Sequence, residues 1–284
     1  MKKIGFIDLF IDEWHANNYP GWIRSSSLAS EFTLWGAWEE KPNPDGRDLA
    51  AWCREFDVRA YDSLDQLIAD CDCFFVLAPS SPEAHERLAE KVLASGKPVY
   101  IDKPFAPDLA AAKRLFDRAD AYHTPMWSSS ALRFGAELIA ARQKLAGGSV
   151  DFMTVRGGGR SFEEYSIHQA EMIVAVMGTG ARRVMQCGSG KTNHVLIEFA
   201  DGRRATMTLA FAMPFAAEIV YAGNQVEVVG GADGMFPRLL ETILEFFRTG
   251  KSPVEREQTL AVVALMAAAI RGMSAPDTWI EVEG

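Results

Sequence analysis

The chain has 284 residues, of which 48% are hydrophobic and 24% are charged, as is typical of a globular protein with its own hydrophobic core. At roughly 100–200 residues per domain, this length favours two domains. The net charge of -9 and the pI near 5.2 exclude a protein-wide attraction to nucleic acid or to an anionic membrane surface.

The first half of the chain alternates between predicted strands and predicted helices. Apolar runs typical of buried strands occupy 2–10, 32–38, 73–78 and 98–101. Helical spacing or composition marks 47–56, a short segment from 62, 82–95 and 108–118. The stretch 11–24 is polar and carries no assigned element. Strands that alternate with helices over short connections predict a doubly wound parallel sheet, which binds ligands beyond the carboxyl ends of its strands.

The second half has a different pattern. Short strand candidates follow one another at 150–157, 182–188, 193–199, 204–211, 217–221 and 225–229. Such spacing with short turns is typical of an antiparallel, open-faced sheet. Predicted helices flank it at 164–177, 236–248 and 255–271. The fold class is therefore α/β for the first half, followed by an α+β domain with a mainly antiparallel sheet.

Cysteine usage and the N-terminal segment indicate the compartment. Four cysteines are too few for a disulfide framework in a chain of this length, and no Cys or His pairs have metal-ligand spacing. The basic start is like that of a signal peptide, but Asp8, Asp12 and Glu13 interrupt the necessary apolar region. No apolar run approaches the roughly 20 residues of a membrane span. We expect a cytoplasmic protein without a metal site and without nucleic-acid or membrane partners.

Three segments resemble one enzyme family. The segment 96–106 is similar to the Gly-Lys-x-Val-x-x-Glu-Lys-Pro segment of the glucose-fructose oxidoreductase / inositol dehydrogenase (Gfo/Idh/MocA) family, with Asp102 in place of the usual Glu and with Lys103 retained. Upstream, Pro79 and His85 resemble the exit of the family's fourth strand. Downstream, 164–171 resembles the Asp-x-Gly-x-His-x-x-Asp motif, with His168 retained, Glu at both Asp positions and Ser for Gly.

The resemblance implies an N-terminal Rossmann domain over 1–125 and a substrate-binding and oligomerisation domain over 126–284. It further implies hydride transfer between a nicotinamide and a sugar, polyol or related hydroxy compound. The catalytic candidates are Lys103, His168 and Glu171. Lysine and histidine suit removal of a hydroxyl proton, because burial and neighbouring charge shift the pKa of each towards neutrality. The residues expected to bind the small-molecule substrate are Lys103, Arg133, Glu164 and His168.

The segment after the first predicted strand departs from the family pattern. A dinucleotide fingerprint needs glycines so that the backbone can approach the pyrophosphate, and the stretch 7–20 contains none. Acidic side chains in this segment would also repel phosphate. Either the segment is rebuilt so that its own side chains contact the ligand, with Trp14, His15, Asn17 and Asn18 as candidates, or the site no longer holds a dinucleotide.

The cofactor expected from the resemblance is NAD, with NADP less favoured, because Glu39 stands where an acid accepts the ribose hydroxyls of NAD. The cofactor-binding candidates are Asp8, Trp14, His15, Glu39, Pro79, His85 and Asp102. The alternative is an isomerase, lyase or hydrolase on the same scaffold, and a third hypothesis is a non-catalytic partner subunit. Alternating apolar residues at 205–211 and 225–229 would leave an exposed face on a monomer, so we expect a homodimer or homotetramer.

Overall fold

The computed structural model describes residues 1–145, 148–188 and 192–284. The chain divides into two compact units. The first unit contains Met1–Ser128 and Phe236–Val254, and the second contains Ser129–Met235 and Glu255–Gly284. The segment 236–254 therefore groups with the N-terminal half, although it follows most of the second unit in sequence.

The strands, in chain order, are β1 Lys2–Asp8, β2 Phe32–Glu39, β3 Arg59–Ala60, β4 Cys73–Val76, β5 Val99–Ile101, β6 Met126–Trp127, β7 Val150–Gly157, β8 Ala181–Gln186, β9 Thr192–Phe199, β10 Arg204–Ala210, β11 Ala216–Tyr221, β12 Gln225–Gly230 and β13 Trp279–Glu281. The helices are α1 Trp14–Ser25, α2 Leu49–Phe56, α3 Leu64–Asp70, α4 Pro82–Leu93, α5 Leu109–Ala121, α6 Ala136–Lys144, α7 Phe162–Met177, α8 Met235–Thr249 and α9 Arg256–Gly272, with a 3-10 turn at Ala131–Phe134.

The first unit is built on a parallel sheet in the order β3-β2-β1-β4-β5-β6. Its central strands β4 and β5 are buried along their whole length, which explains why their sequences are continuous apolar runs rather than alternating ones. The order reverses between β1 and β4. A doubly wound sheet binds its ligand at such a reversal, outside the carboxyl ends of the strands.

The second unit carries a sheet in the order β12-β11-β7-β10-β9-β8-β13. All of its described strand pairs are antiparallel except β7 with β10, which run parallel. Alternate residues of β9 and β10 are buried, as expected when one face of a sheet covers a core. Apolar side chains from α7 and α9 belong to that core. The predicted fold class, a Rossmann-type sheet followed by a mainly antiparallel α+β domain, is confirmed.

Helix α1 differs from the sequence expectation, which left 11–24 without an element. The helix includes Pro20 and buries His15, Ala16, Tyr19 and Ile23. Its sequence did not reveal it because the apolar positions are few and the N-cap residue is Glu13, which is not among the preferred N-cap types. Tertiary burial, rather than helix propensity, stabilises this helix. No helix within the described ranges is long and apolar enough to cross a membrane.

Candidate functional site

The candidate residues of the first unit lie at one edge of its sheet, at the carboxyl ends of the parallel strands. Asp8 ends β1 and lies opposite Glu39 at the end of β2 in the strand register. Pro79 follows β4, and Asp102 and Lys103 directly follow β5. We predicted that these side chains lie at a ligand-binding edge, and the topology places them at the carboxyl edge of the sheet.

Asp8 is fully buried. Its Oδ1 accepts hydrogen bonds from the amides of Leu9 (2.7 Å) and Ala78 (3.0 Å), whereas its Oδ2 has no hydrogen-bond partner among the described residues. Burial and then the charge of Glu13 raise the pKa of Asp8 well above its usual range, although the two amides act in the opposite direction. A carboxyl group in this environment retains its proton more readily than one in water.

The N-terminus of α1 is already occupied by a carboxylate of the chain. Glu13 is the N-cap, and its Oε2 and Oε1 accept hydrogen bonds from the amides of His15 (2.7 Å) and Ala16 (2.5 Å). These are first-turn donors of the kind that bind phosphate at a helix N-terminus. Burial, opposed by the charge of His15, raises the pKa of Glu13.

A buried His–Asp pair links α1 to the end of β5. His15 Nδ1 and an oxygen of Asp102 form a short hydrogen bond, and the phenol of Tyr19 donates to Asp102 at 3.4 Å. Burial alone would raise the pKa of Asp102, but the charge and hydrogen bond of His15, together with the charge of Lys103, hold it below its usual range. Lys103 is half-buried, and its ammonium lies 3.4 Å from the carbonyl of Pro79.

Three other candidates of the first unit have roles within the chain. His85 is fully buried, with Nε2 2.6 Å from the carbonyl of Leu77 and Nδ1 3.0 Å from that of Phe105. Glu39 accepts the amides of Ile11 (2.9 Å) and Leu49 (3.1 Å). Trp14 is 52% exposed and packs against Trp22 and Phe236. We assign His85 to packing at the end of β4.

In the second unit, α7 carries His168 and Glu171 into a buried polar cluster. Ser130 Oγ and His168 Nδ1 share a hydrogen bond of 2.7 Å, and the imidazole ring meets Phe215 edge-on at 5.3 Å between centroids. The ring is only 7% exposed. A hydrogen bond to one ring nitrogen restrains the orientation of an imidazole, as a proton-transfer group requires.

Glu171 forms a buried ion pair with Arg133 in this cluster. One of its oxygens accepts from the guanidinium of Arg133 (2.5 Å) and from the hydroxyl of Ser129 (2.6 Å), and all three side chains are buried. Arg133 also donates to Gln258 at 2.6 Å. Glu164 lies two turns earlier on α7, is half-buried and pairs with Arg160. The structure thus brings His168, Glu171 and Arg133 into one polar cluster and pairs Glu164 with the exposed Arg160.

Sequence reasoning missed several partners in these clusters. Ser129 and Ser130 were not proposed, although the Ser128-Ser129-Ser130 run directly precedes the Arg133 segment. Tyr19 was overlooked because the helix that carries it was not predicted. The carboxylate of Glu13 was expected only to repel phosphate, and its use as a helix cap needed the helix boundary to be known.

Comparison with known proteins supports the family resemblance. Residues 32–129 match the model of the Gfo/Idh/MocA family, described as an oxidoreductase family with an NAD-binding Rossmann fold. Through this segment, the chain is similar to the Gfo/Idh/MocA family. An uncharacterized oxidoreductase of Schizosaccharomyces pombe is 28% identical over 123 residues, which cover 43% of this chain and 32% of that relative. The match thus spans about a third of the relative's length.

Solved structures share the fold over nearly the whole length of this chain. A probable dehydrogenase from Thermotoga maritima has a TM-score of 0.83 at 16% identity and covers 99% of this chain and 98% of its own. The scyllo-inositol dehydrogenase of Lactobacillus casei, solved with NAD(H) and scyllo-inositol, has a TM-score of 0.82 at 15% identity over 99% of both chains. At these identities the likeness shows the fold alone.

The fit of the first unit to a dinucleotide depends on the N-terminus of α1, where a carboxylate of the chain already accepts two backbone amides. The amides of His15 and Ala16 hold a carboxylate at the N-terminus of α1. This carboxylate is a stand-in for a phosphate group, and it shows that the helix N-terminus binds an anion. These two amides are donors of the type that binds a pyrophosphate at a helix N-terminus, and they are available to one only when Glu13 does not occupy them.

Proposed function

We propose that the protein is an NAD-dependent dehydrogenase that oxidises a secondary alcohol of a sugar, a polyol or a related hydroxy compound. The observation that carries the proposal is Lys103, which follows β5 at the ligand-binding edge of the sheet, inside the segment that matches an NAD-binding oxidoreductase family. The scyllo-inositol dehydrogenase of similar fold binds NAD(H) and a polyol, which supports this substrate class.

Each unit supplies one candidate for proton transfer. In the first unit, Lys103 directly follows the buried Asp102, and its positive charge helps to lower the pKa of that carboxyl group. In the second unit, His168 has one ring nitrogen fixed by Ser130. We assign to both residues the handling of the hydroxyl proton of the substrate, because the proton must leave as the carbon–hydrogen bond breaks.

The remaining candidates hold elements of the chain together or bind the cofactor. Glu171 neutralises the buried guanidinium of Arg133, and these two residues keep α7 and the Ala131–Phe134 turn together. Bound NAD supplies the hydride acceptor. In the first unit, Glu39 lies at the end of β2, where a carboxylate favours the ribose hydroxyls of NAD and repels the extra phosphate of NADP.

Compartment and assembly belong to the same proposal. We propose a cytoplasmic homo-oligomer, a homodimer or homotetramer, that acts in carbohydrate metabolism. The four thiols are free, and three of them are buried, which agrees with a reducing compartment. The exposed valines of β12 agree with an assembly in which this strand is covered.

Titration of the purified protein with NADH and NADPH tests the proposal. NADH should quench tryptophan emission, since Trp14 lies at the start of α1 and Trp38 lies within β2. NADPH should bind more weakly. Because the first loop has no glycine fingerprint, we expect affinity about one to two decades below that of an enzyme with one, or about 1–3 kcal/mol. Calorimetry should confirm the binding.

Absence of binding of both nucleotides at about millimolar concentration, with and without candidate polyols, would contradict the dehydrogenase proposal. An isomerase, lyase or hydrolase that uses the Lys103 and His168 side chains for acid–base chemistry would then be the leading hypothesis. If NADH binds, a panel of polyols and sugars should be screened by the absorbance of NADH to define the substrate.

A further inference from the structure

The segment between β1 and α1 satisfies its own anion-binding groups with carboxylates of the chain. Glu13 accepts the amides of His15 and Ala16, Glu39 accepts the amide of Ile11, and Asp8 accepts the amide of Leu9. In a dinucleotide-binding sheet, backbone amides of this loop and of the following helix contact the pyrophosphate. Here carboxylates of the chain already accept hydrogen bonds from such amides before any ligand binds.

Glu13 differs from the other carboxylates because it is the N-cap of α1 and accepts the amides of its first turn. Its two oxygens take one donor each, and the first turn itself contains no acidic residue. Asp8, which ends β1, adds a fully buried oxygen without a hydrogen-bond partner in the described part of the chain. The pKa of Asp8 is raised by burial and then by the charge of Glu13, so the two carboxyl groups interact. An added anion next to these two carboxyl groups therefore meets an electrostatic cost as long as Glu13 keeps its place.

We propose that the carboxylate of Glu13 occupies the pyrophosphate position of the dinucleotide site, and that NAD(H) binds by displacing it. The inference rests on the proposed function, because it concerns the cofactor of that reaction. Glu13 then determines cofactor affinity without contacting the bound nucleotide. The apparent dissociation constant equals the intrinsic one divided by the fraction of molecules in which the two amides are free.

The substitution Glu13→Gly tests this competition. Glycine is tolerated at an N-cap at a small cost, it removes the negative charge, and it frees the amides of His15 and Ala16. We expect the dissociation constant of NADH to fall at least about tenfold, which corresponds to about 1.4 kcal/mol. The affinity for ADP-ribose, which carries the pyrophosphate, should increase by the same factor as the affinity for NADH. Adenosine, which has none, should bind the variant and the natural chain equally.

A matched control is available in the same unit. Asp108 is the N-cap of α5, and its side chain accepts the amide of Ala111 at 2.7 Å. Asp108→Gly removes a capping carboxylate of the same kind at a different helix, so it should leave the affinity for NADH unchanged. Circular dichroism should show that both variants fold. If Glu13→Gly does not fold, Glu13→Gln removes the charge while keeping the side chain, and it should also bind NADH more tightly than the natural chain.

The outcomes separate the inference from the proposed function. Tighter binding of NADH and ADP-ribose by the Glu13 variant supports the inference. Equal or weaker binding by that variant, with NADH still bound by the natural chain, overturns the inference alone. If the Glu13 variant binds NADH and the natural chain does not, the inference is supported and the proposed function of the natural chain is contradicted. If neither protein binds NADH, both proposals fall.

Discussion

At the scale of single residues, burial and charge assign different states to the carboxyl groups of the first unit. Asp8 and Asp102 are both fully buried, but only Asp102 has a histidine as its partner. The pKa of Asp102 is therefore held low, and burial raises that of Asp8. An ionised Asp102 keeps His15 in place at the start of α1, whereas an ionised Asp8 leaves one buried oxygen without compensation.

Replacing Asp8 with Asn should stabilise the protein increasingly as the pH rises. The native pKa of Asp8 lies above its ordinary value of 3.8, so the native state holds a proton that the unfolded chain has lost. The stability linked to this proton is complete below pH 3.8 and is lost as the pH rises through the native pKa. Asn still accepts the amides of Leu9 and Ala78. Melting temperatures measured from about pH 5 to about pH 9 should diverge in favour of Asp8→Asn.

The exposed Asp45→Asn variant is the control for this comparison, and its melting curve should follow that of the natural chain at every pH. A difference between Asp8→Asn and the natural chain that stays constant, or that shrinks at high pH, would show that Asp8 has no raised pKa in the native state.

Proton transfer by Lys103 and His168 predicts a large loss of turnover when either is replaced. Lys103→Met and His168→Ala should each lower kcat by about two to four orders of magnitude, while circular dichroism remains that of the folded protein. Lys251→Met and His194→Ala are the controls, because both side chains are exposed and should leave kcat unchanged. Near-normal turnover by a Lys103 or His168 variant on a verified substrate would remove that residue from the mechanism.

At the scale of elements, the run Gly157-Gly158-Gly159 at the end of β7 is explained by close packing. A side chain at Gly157 would overlap the ring of Phe215, and one at Gly159 would overlap Tyr165. A Cβ at Gly158 would lie 2.6 Å from the carbonyl oxygen of Met213, a backbone atom that cannot rotate away. The glycines therefore serve the packing of the second unit.

Two glycine substitutions should act in opposite directions on stability. Gly158→Ala should destabilise the protein by about 1–3 kcal/mol, because the backbone must shift to admit the methyl group. Gly21→Ala should stabilise it by about 0.5–1 kcal/mol, since Gly21 lies inside α1 with open space around its Cβ position and alanine favours the helix. Chemical denaturation measures both changes. A neutral Gly158→Ala would show that the second unit adapts at this point.

At the scale of the whole molecule, the repeating patterns of the sequence were sufficient to predict the architecture. Apolar runs identified β1, β2, β4 and β5, and short strand candidates separated by turns identified β7 to β12. Helices α1 and α6 and the short strands β3, β6 and β13 were missed. Two- or three-residue strands carry too little pattern to be recognised, and α1 is stabilised by contacts with residues distant in sequence.

The candidate site was predictable only where residue types follow a motif. Lys103 and His168 stand in recognisable segments, and their positions after β5 and on α7 agree with the expectation. Hydrogen bonds between distant segments, such as Ser130 with His168 and His15 with Asp102, have no signature in the sequence. The use of Glu13 as a cap follows from backbone geometry at one helix end, which composition and spacing do not specify.

The assembly prediction follows from the apolar surface of the second sheet. Val226 and Val228 lie two residues apart on the edge strand β12, and they are 56% and 66% exposed, while Phe211 is 74% exposed. Light scattering at about micromolar concentration should give two or four times the chain mass of 31.3 kDa, because burial of such a surface favours association.

The double substitution Val226→Asp and Val228→Asp should shift the protein towards a monomer of 31.3 kDa, because two charges on one face of the strand oppose its burial. Met273→Glu, which places a charge at another exposed apolar position, is the control and should leave the mass unchanged. A natural chain that is already monomeric contradicts the prediction of an oligomer. A double variant that remains oligomeric shows that the association uses a different surface.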